Sequence, residues 1–361
     1  MKHREIVKQD CSRNARVLIY RLGSLGDTLV AMPALKLVAH AFPNHQRWML
    51  TNFSVSAKAA PMADILVSTG LVHDYLQYPL KLRTVSGMWT LIHHIRALKI
   101  DTLVYLAGNR GLSRVLRDIL FFRACGIRHF IGVPYHADQR HNIIRQDGRH
   151  EFEGARLARC LKVLGNAHVD DPASFDISLQ TSEQLRASVT LGTLEQRPII
   201  AVSVGTKADV NDWEDMRWLP LLERLSTQYA GYALVLLGSA DEHARCERLR
   251  TAWGTRSLNL CGLLSVRESA AVLQRCQVLI CHDSGPMHLA AAVGSTCVAI
   301  FSSRNWPGQW FPQGSGHQVL YRSMPCQGCG FETCPDRQKA CIRSITVDDV
   351  LHAVDLVLRD R

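Results

Sequence analysis

The sequence predicts an α/β protein made of two Rossmann-like parallel-sheet domains facing a central cleft. Three observations carry this expectation. Short apolar runs alternate with segments of helical period along most of the chain, the pattern of parallel strands covered on both faces. The alternation comes in two blocks and restarts after Pro198. The 361 residues also suit two domains at roughly 150 residues each.

In the first block, residues 17–20 read as a strand and 28–41 as a helix, with apolar positions at Leu29, Met32, Leu35, Val38 and Ala39. Residues 48–50 and 102–106 are further strands, and 111–125 and 153–164 are helices. In the second block, the strands are 199–204, 233–237, 257–260, 278–281 and 296–301. Helices at 218–229, 242–253, 265–274 and 285–293 separate them. The division expected is an N-terminal domain over 1–179, a linker with a helix over 180–198, a second domain over 199–345 and a closing helix over 346–361. Residues 302–343, rich in Gly, Pro and Cys, read as an irregular loop. Open α/β sheets bind ligands at the carboxyl ends of their strands, so chemistry is sought in the turns there.

Composition narrows the class. Hydrophobic residues make up 47% and charged residues 20%, which suits a globular chain and excludes a disordered or collagen-like one. No run approaches the ~18 apolar residues of a spanning helix. The basic N-terminus carries only the short apolar stretch 17–20, too little for a signal peptide core, so a cytoplasmic protein is expected. Lys and Arg number 42 against 32 Asp and Glu, a net charge of +10. Half of that excess lies between Arg110 and His150, where eight arginines face Asp118, Asp138 and Asp147. Two readings are open: a solvated basic face, or a surface for a polyanion, whether nucleic acid, anionic lipid or a phosphorylated glycan.

The first strand runs into Arg21-Leu22-Gly23-Ser24-Leu25-Gly26-Asp27. Glycines at such a turn let backbone approach a ligand. A carboxylate at the helix start would repel a pyrophosphate but suits a general base facing a neutral hydroxyl. Asp27 is therefore either a helix cap or a base. In the second block, strand 278–281 leads into Asp283-Ser284-Gly285-Pro286-Met287-His288 and a run of alanines. Asp283 suits an N-cap and Pro286 a first helical turn. Ser284 and Gly285 then offer a hydroxyl and N–H groups at the positive end of a helix, a diphosphate cradle. His288 is either an added donor or a buried histidine. Val204-Gly205-Thr206-Lys207 is either a polar loop or a set of donors for a leaving diphosphate.

Twelve cysteines are present. Most sit among apolar residues, as expected of small core side chains in a reducing compartment. Cys326, Cys329, Cys334 and Cys341 cluster with a spacing open to a structural zinc, a disulfide or unligated thiols. A nucleic-acid-binding module would account for charge and cysteines but leaves Asp27 and the 283–288 turn without a role, so no nucleic-acid partner is expected.

These segments together resemble glycosyltransferase family 9, best known for the ADP-heptose–lipopolysaccharide heptosyltransferases. The likeness rests on Arg21-x-Gly23-x-x-Gly26-Asp27, on Pro33-Ala34-Leu35 and Phe42-Pro43, and on Asp283 through Ala291 with Gly294. Pro307, Trp310, Pro312 and the four-cysteine loop follow. The resemblance implies a GT-B architecture and an inverting sugar transfer needing no metal or other cofactor. The N-terminal domain would hold a lipid-linked or phosphorylated glycan acceptor, with peripheral association at the inner membrane face. The C-terminal domain would hold the nucleotide sugar, ADP-heptose; the alternatives are another nucleotide sugar in the same family, or a non-catalytic nucleotide-sugar- or polyanion-binding protein. By similarity Asp27 is the base and Arg21, Gly23 and Gly26 shape its loop. Thr206, Asp283, Ser284, Gly285, Pro286, Met287 and His288 contact the donor, and Glu242 reaches its ribose. Many members place a lysine shortly before a tryptophan, where this chain has Asn211-Asp212-Trp213; the phosphate-binding lysine is then Lys207 or absent. His282 stands where Asn is common.

Overall fold

The computed structural model describes residues 15–52, 62–78 and 85–359. Each block of alternating pattern becomes one parallel sheet. In the first, strands β1 (Arg16–Tyr20), β2 (Gln46–Thr51), β3 (Asp74–Gln77), β4 (Thr102–Tyr105) and β5 (His129–Ile131) lie in the order β3-β2-β1-β4-β5. Leu18 of the central strand pairs with Trp48 on one side and Leu103 on the other. The helices are α1 (Leu25–Val30), α2 (Met32–Ala41), α3 (Met62–Leu66), α4 (Val85–Ala97), α5 (Leu112–Ala124), α6 (Ala137–Arg140) and α7 (Glu153–Cys160).

The single helix expected over 28–41 is two helices. Ala31, at φ −87° and ψ −3°, closes α1 and opens α2. Pro33 supplies the reason: it lacks the N–H that a continuous helix would direct to the Leu29 carbonyl. The helix expected over 153–164 stops at Cys160. Strands β3 and β5 and helices α3, α4 and α6 had no counterpart in the sequence reading. β3 and β5 are short edge strands of four and three residues, too brief to show a period.

The second sheet orders six parallel strands as β11-β10-β9-β6-β7-β8. They are β6 (Ile199–Ser203), β7 (Ala233–Leu236), β8 (Ser257–Asn259), β9 (Val278–His282), β10 (Thr296–Ile300) and β11 (Gln318–Leu320). Its helices are α8 (Thr181–Leu191), α9 (Asp215–Gln228), α10 (His243–Arg250), α11 (Val266–Leu273), α12 (Gly285–Ala292), α13 (Ala340–Arg343) and α14 (Val347–Arg359). The region expected to be an irregular loop, 302–343, contains β11, which pairs Gln318 with Val298 at the open edge of β10, and the turn of helix α13. β6, β7 and β9 are buried along their whole length, which is why they read as continuous apolar runs.

The chain divides into two units between Ser174 and Phe175. Arg267 on α11 fixes the start of the second: it donates to the Ile177 carbonyl (2.9 Å) and the Ser178 carbonyl (2.8 Å) and pairs with Glu183 on α8. Val350, Val354 and Val357 of α14 join Trp213, Trp218, Leu222 and Ile342 in one core.

Candidate functional site

In the first unit the β1–α1 turn is built around Arg21, whose side chain is 1% exposed. Its Nη1 donates to the Leu106 carbonyl just beyond β4 (2.8 Å), and its Nη2 to the Asp27 carbonyl (2.6 Å). Burial lowers its pKa, and the nearby Asp27 and Glu153 carboxylates oppose that shift. Asp27 stands in the first turn of α1. The Ser24 amide (2.7 Å) and hydroxyl (3.0 Å) both donate to Asp27 Oδ2, so the carboxylate caps the helix. Its other oxygen, Oδ1, lies 3.8 Å from Arg21 Nη2, and the side chain is 32% exposed. Cap and base are thus compatible roles, one for each oxygen. Gly23 sits against this carboxylate at φ +154°, where an added Cβ would come within 2.4 Å of Asp27 Cβ. The Gly23 amide donates to Asn52 Oδ1 (2.8 Å). Gly26 lies inside α1, one residue before Asp27.

A second buried pair supports this end of the sheet. Arg156 and Glu153, both 1% exposed, meet at 2.6 Å, and Arg156 also donates to the carbonyls of Gln139 (2.9 Å) and Ala107 (3.3 Å). Nothing in the residue types singled these two out in the sequence; their i, i+3 spacing is common on solvated helices. Of the eight arginines from Arg110 to Arg149, Arg110 and Arg117 bond to the buried Asp118 at 3.1 and 2.8 Å, and Tyr105 donates to the same carboxylate (2.9 Å). Part of the basic stretch is therefore internal structure.

In the second unit the β9–α12 turn lies at the carboxyl edge of the sheet. Asn305 donates to Asp283 Oδ2 (2.9 Å) and Asn211 to the Asp283 carbonyl (3.4 Å). Ser284, not Asp283 as expected, is the N-cap of α12, since the Asp283 carboxylate turns to Asn305 instead, and Pro286 lies in the first turn. The Met287 amide turns back to the Ser284 carbonyl (3.2 Å), and Pro286 has no N–H. The donors this turn can offer a ligand are the Gly285 amide and the Ser284 hydroxyl, which here donates to the His282 carbonyl (3.4 Å) and would have to turn from it. The Met287 side chain is wholly buried and offers a ligand no surface. His288 is also buried, its ring 6.4 Å from that of Trp310.

His282, the last residue of β9, is a residue whose part the sequence did not show. Its Nε2 accepts the Trp213 amide (3.1 Å), and its ring meets Trp218 edge-on at 5.3 Å. Trp213 in turn donates from Nε1 to the Ile345 carbonyl (2.8 Å). This chain of contacts seats the 211–213 segment on the sheet and brings Asn211 to the Asp283 turn. Burial drives the His282 pKa down to about 4, so the ring is neutral at pH 7.

Glu242 stands over the ends of β6 and β7. It accepts the Ser239 amide (2.8 Å), and a Cβ on Gly205 would lie 1.9 Å from its Oε1. Only glycine at 205 lets the carboxylate rest there. Thr206 donates to the Ala208 carbonyl (3.2 Å). Lys207 is exposed and forms no ion pair among the described residues. Lys339 instead reaches the 209–214 segment, bonding to Asp209 Oδ1 (3.1 Å) and Glu214 Oε1 (3.0 Å).

Among the described residues, no group of three or more His, Cys, Asp or Glu is arranged to hold a metal ion. Cys326, Cys329 and Cys334 are half-buried free thiols and Cys341 is a buried one. Cys341 belongs to α13, whose neighbour Ile342 is in the core, so the four do not gather into the zinc site or disulfide that their spacing allowed.

Two parallel α/β units of this kind make up a GT-B fold, the architecture of many sugar-transferring enzymes. The chain belongs to glycosyltransferase family 9: the model of that family, described as "Glycosyltransferase family 9 (heptosyltransferase)", matches residues 115–339. That span includes Thr206, Lys207, Glu242 and the 283–288 turn, and begins after Asp27. The chain is 33% identical over 113 residues to lipooligosaccharide heptosyltransferase 2 of Haemophilus influenzae, covering 30% of this chain and 32% of that protein. The alignment thus spans about a third of the length of the curated relatives it matches. Among solved structures, a family 9 glycosyl transferase from Veillonella parvula superposes with a TM-score of 0.71 at 17% identity, covering 98% of this chain and 99% of the other. ADP-heptose lipopolysaccharide heptosyltransferase II of Escherichia coli gives 0.64 at 17% identity, covering 96% and 99%.

Proposed function

We propose that the protein is an inverting glycosyltransferase that moves a heptose from ADP-heptose to a lipopolysaccharide core or related cell-envelope glycan on the cytoplasmic side of the membrane. One observation carries the reading: the β9–α12 turn, with the Ser284 hydroxyl and Gly285 amide at a helix start, lies at the ligand-binding edge of its sheet inside the segment that matches the family. The relatives' names supply the sugar, and the lipid-linked or phosphorylated acceptor follows from the same likeness.

In the proposed reaction Asp27 Oδ1 takes the proton of an acceptor hydroxyl. The acceptor oxygen attacks the anomeric carbon as the bond to the diphosphate breaks, and the ADP leaves from the opposite face with the bonding pair. Ser284, Gly285, Thr206 and Lys207 receive the charge that develops on the diphosphate. These donors make a metal ion unnecessary in the proposed step. Glu242 faces the ribose, and Asp283 holds the turn through Asn305.

The test is calorimetric titration of ADP, UDP and GDP and their sugar conjugates into wild type, Ser284→Ala and Asp27→Ala. Binding of ADP or ADP-heptose that weakens in Ser284→Ala and persists in Asp27→Ala supports the division of labour. Preference for a UDP or GDP sugar replaces the donor while keeping sugar transfer. Absence of binding to every nucleotide overturns the reading.

A further inference from the structure

Helices α4 and α5 cover the same face of the first sheet: Leu91, Ile92 and Ile95 of α4 share a core with Val115 and Phe122 of α5. They lie side by side, since Arg96 Nε donates to the Ala124 carbonyl (2.9 Å). The outward side of α5 is unusual. Leu112, Leu116 and Leu120 recur every four residues, which aligns them in one stripe, and they are 42, 46 and 71% exposed. A water-facing helix ordinarily carries polar side chains there. Trp89, 54% exposed on α4, adds an amphipathic ring. Single exposed apolar residues are ordinary, whereas an aligned group marks a contact surface.

Charge decides what fits that surface. From 85 to 128 the chain has seven Arg and Lys against two Asp, and one of these, Asp118, is buried under Arg110 and Arg117. Exposed Arg114 and Arg123 lie on the same helix as the leucines. A second copy would set these cations against their own kind. Leucines and a tryptophan set among arginines instead match an interfacial helix on an anionic bilayer, apolar side chains among the acyl chains and guanidinium groups at the phosphates. We propose that the outward face of α4 and α5 docks on an anionic phospholipid surface. The proposal gives the lipid-linked acceptor reading a place of contact, and its test needs neither donor nor acceptor.

The experiment is co-sedimentation of the full chain with phosphatidylcholine vesicles containing or lacking phosphatidylglycerol, at low and physiological salt. Wild type is expected to bind the anionic vesicles, less so as salt rises, and to leave the neutral ones. Arg114→Gln with Arg123→Gln should weaken binding about fivefold for each arginine, and Leu116→Ser with Leu120→Ser at least tenfold. These side chains are exposed, so unchanged melting curves serve as the folding control. ADP titration in parallel separates failure here from failure of the sugar-transfer reading. Equal binding by wild type and both double variants overturns the proposal, as does no binding to anionic vesicles. A concentration-dependent dimer lost in the leucine variant assigns the face to a second copy and also overturns it.

Discussion

Arg21 grips Asp27 at two points: its Nη2 donates to the Asp27 carbonyl at 2.6 Å and stands 3.8 Å from the carboxylate Oδ1. A buried guanidinium with its other arm on the Leu106 carbonyl holds the backbone that aims the proposed base. Stability and activity therefore divide between the two residues. Arg21→Met takes its donor from the Leu106 carbonyl, while the Asp27 carbonyl keeps the Ala31 amide (3.3 Å), and should cost about 1–3 kcal/mol of stability.

Asp27→Asn should behave in the opposite way. The amide oxygen can still accept from Ser24, so stability should change by about 1 kcal/mol or less. A lost general base should lower kcat by about 10²–10⁴-fold. Thermal melts and single-turnover rates on both variants check this. An Asp27→Asn enzyme with full activity would leave the carboxylate as a cap alone.

Lys207 tests the donor side. It is exposed and unpaired among the described residues, so Lys207→Ala should leave the melting temperature unchanged. If its ammonium meets the leaving diphosphate, kcat should fall by about 10–100-fold with a smaller change in KM. Unchanged kcat would assign the loop only Thr206 as a donor.

The two parallel sheets were legible because buried parallel strands write themselves as uninterrupted apolar runs, as in 199–203 and 278–282. Of the three-residue edge strands, Ser257–Asn259 was read, but His129–Ile131 and Gln318–Leu320 were not: so few residues have no measurable period, and the last lies in a stretch rich in Gly, Pro and Cys. The turns carrying Asp27 and Ser284 were legible because glycine, proline and a capping residue follow a strand there. The partners that position them were not. Arg156 reaches Ala107 across 49 residues and His282 reaches Trp213 across 69, and local pattern holds no trace of such contacts. Met287 shows the reverse error: a motif position inside the turn whose side chain belongs to the core.

Among the cysteines of the described residues, Cys334 should be the first to alkylate. Backbone N–H groups of Lys339, Arg337 and Asp336 bond to its sulfur and lower its pKa, raising the thiolate fraction at neutral pH. Cys276 is buried, and burial pushes its thiol up to about 12. Timed iodoacetamide labelling read by peptide mass spectrometry should rank Cys334 first and Cys276 among the last. Labelling of Cys276 as fast as Cys334 would mean the second unit opens readily.

His282 and Glu214 should give the second unit two separate acid transitions. The His282 pKa falls from 6.5 to about 4, chiefly through burial. The unfolded chain then binds the extra proton first, so this stability is complete above pH 6.5 and drains away as the pH falls toward 4. The Glu214 pKa falls from 4.5 to about 2, led by its hydrogen bond from Arg343. Its contribution, largely screened at a partly exposed site, is present above pH 4.5 and lost on the way to pH 2. Trp213 and Trp218 flank His282, so urea unfolding followed by tryptophan fluorescence, in a background with Trp48→Phe and Trp89→Phe in the first unit, reads this unit. The midpoint should decline between pH 6.5 and 4 in wild type. His282→Asn keeps an acceptor for the Trp213 amide but cannot titrate, so its midpoint should be flatter over that range. An unchanged slope in His282→Asn would move the titration to another group, and the claim that a neutral His282 seats the 211–213 segment would then fail.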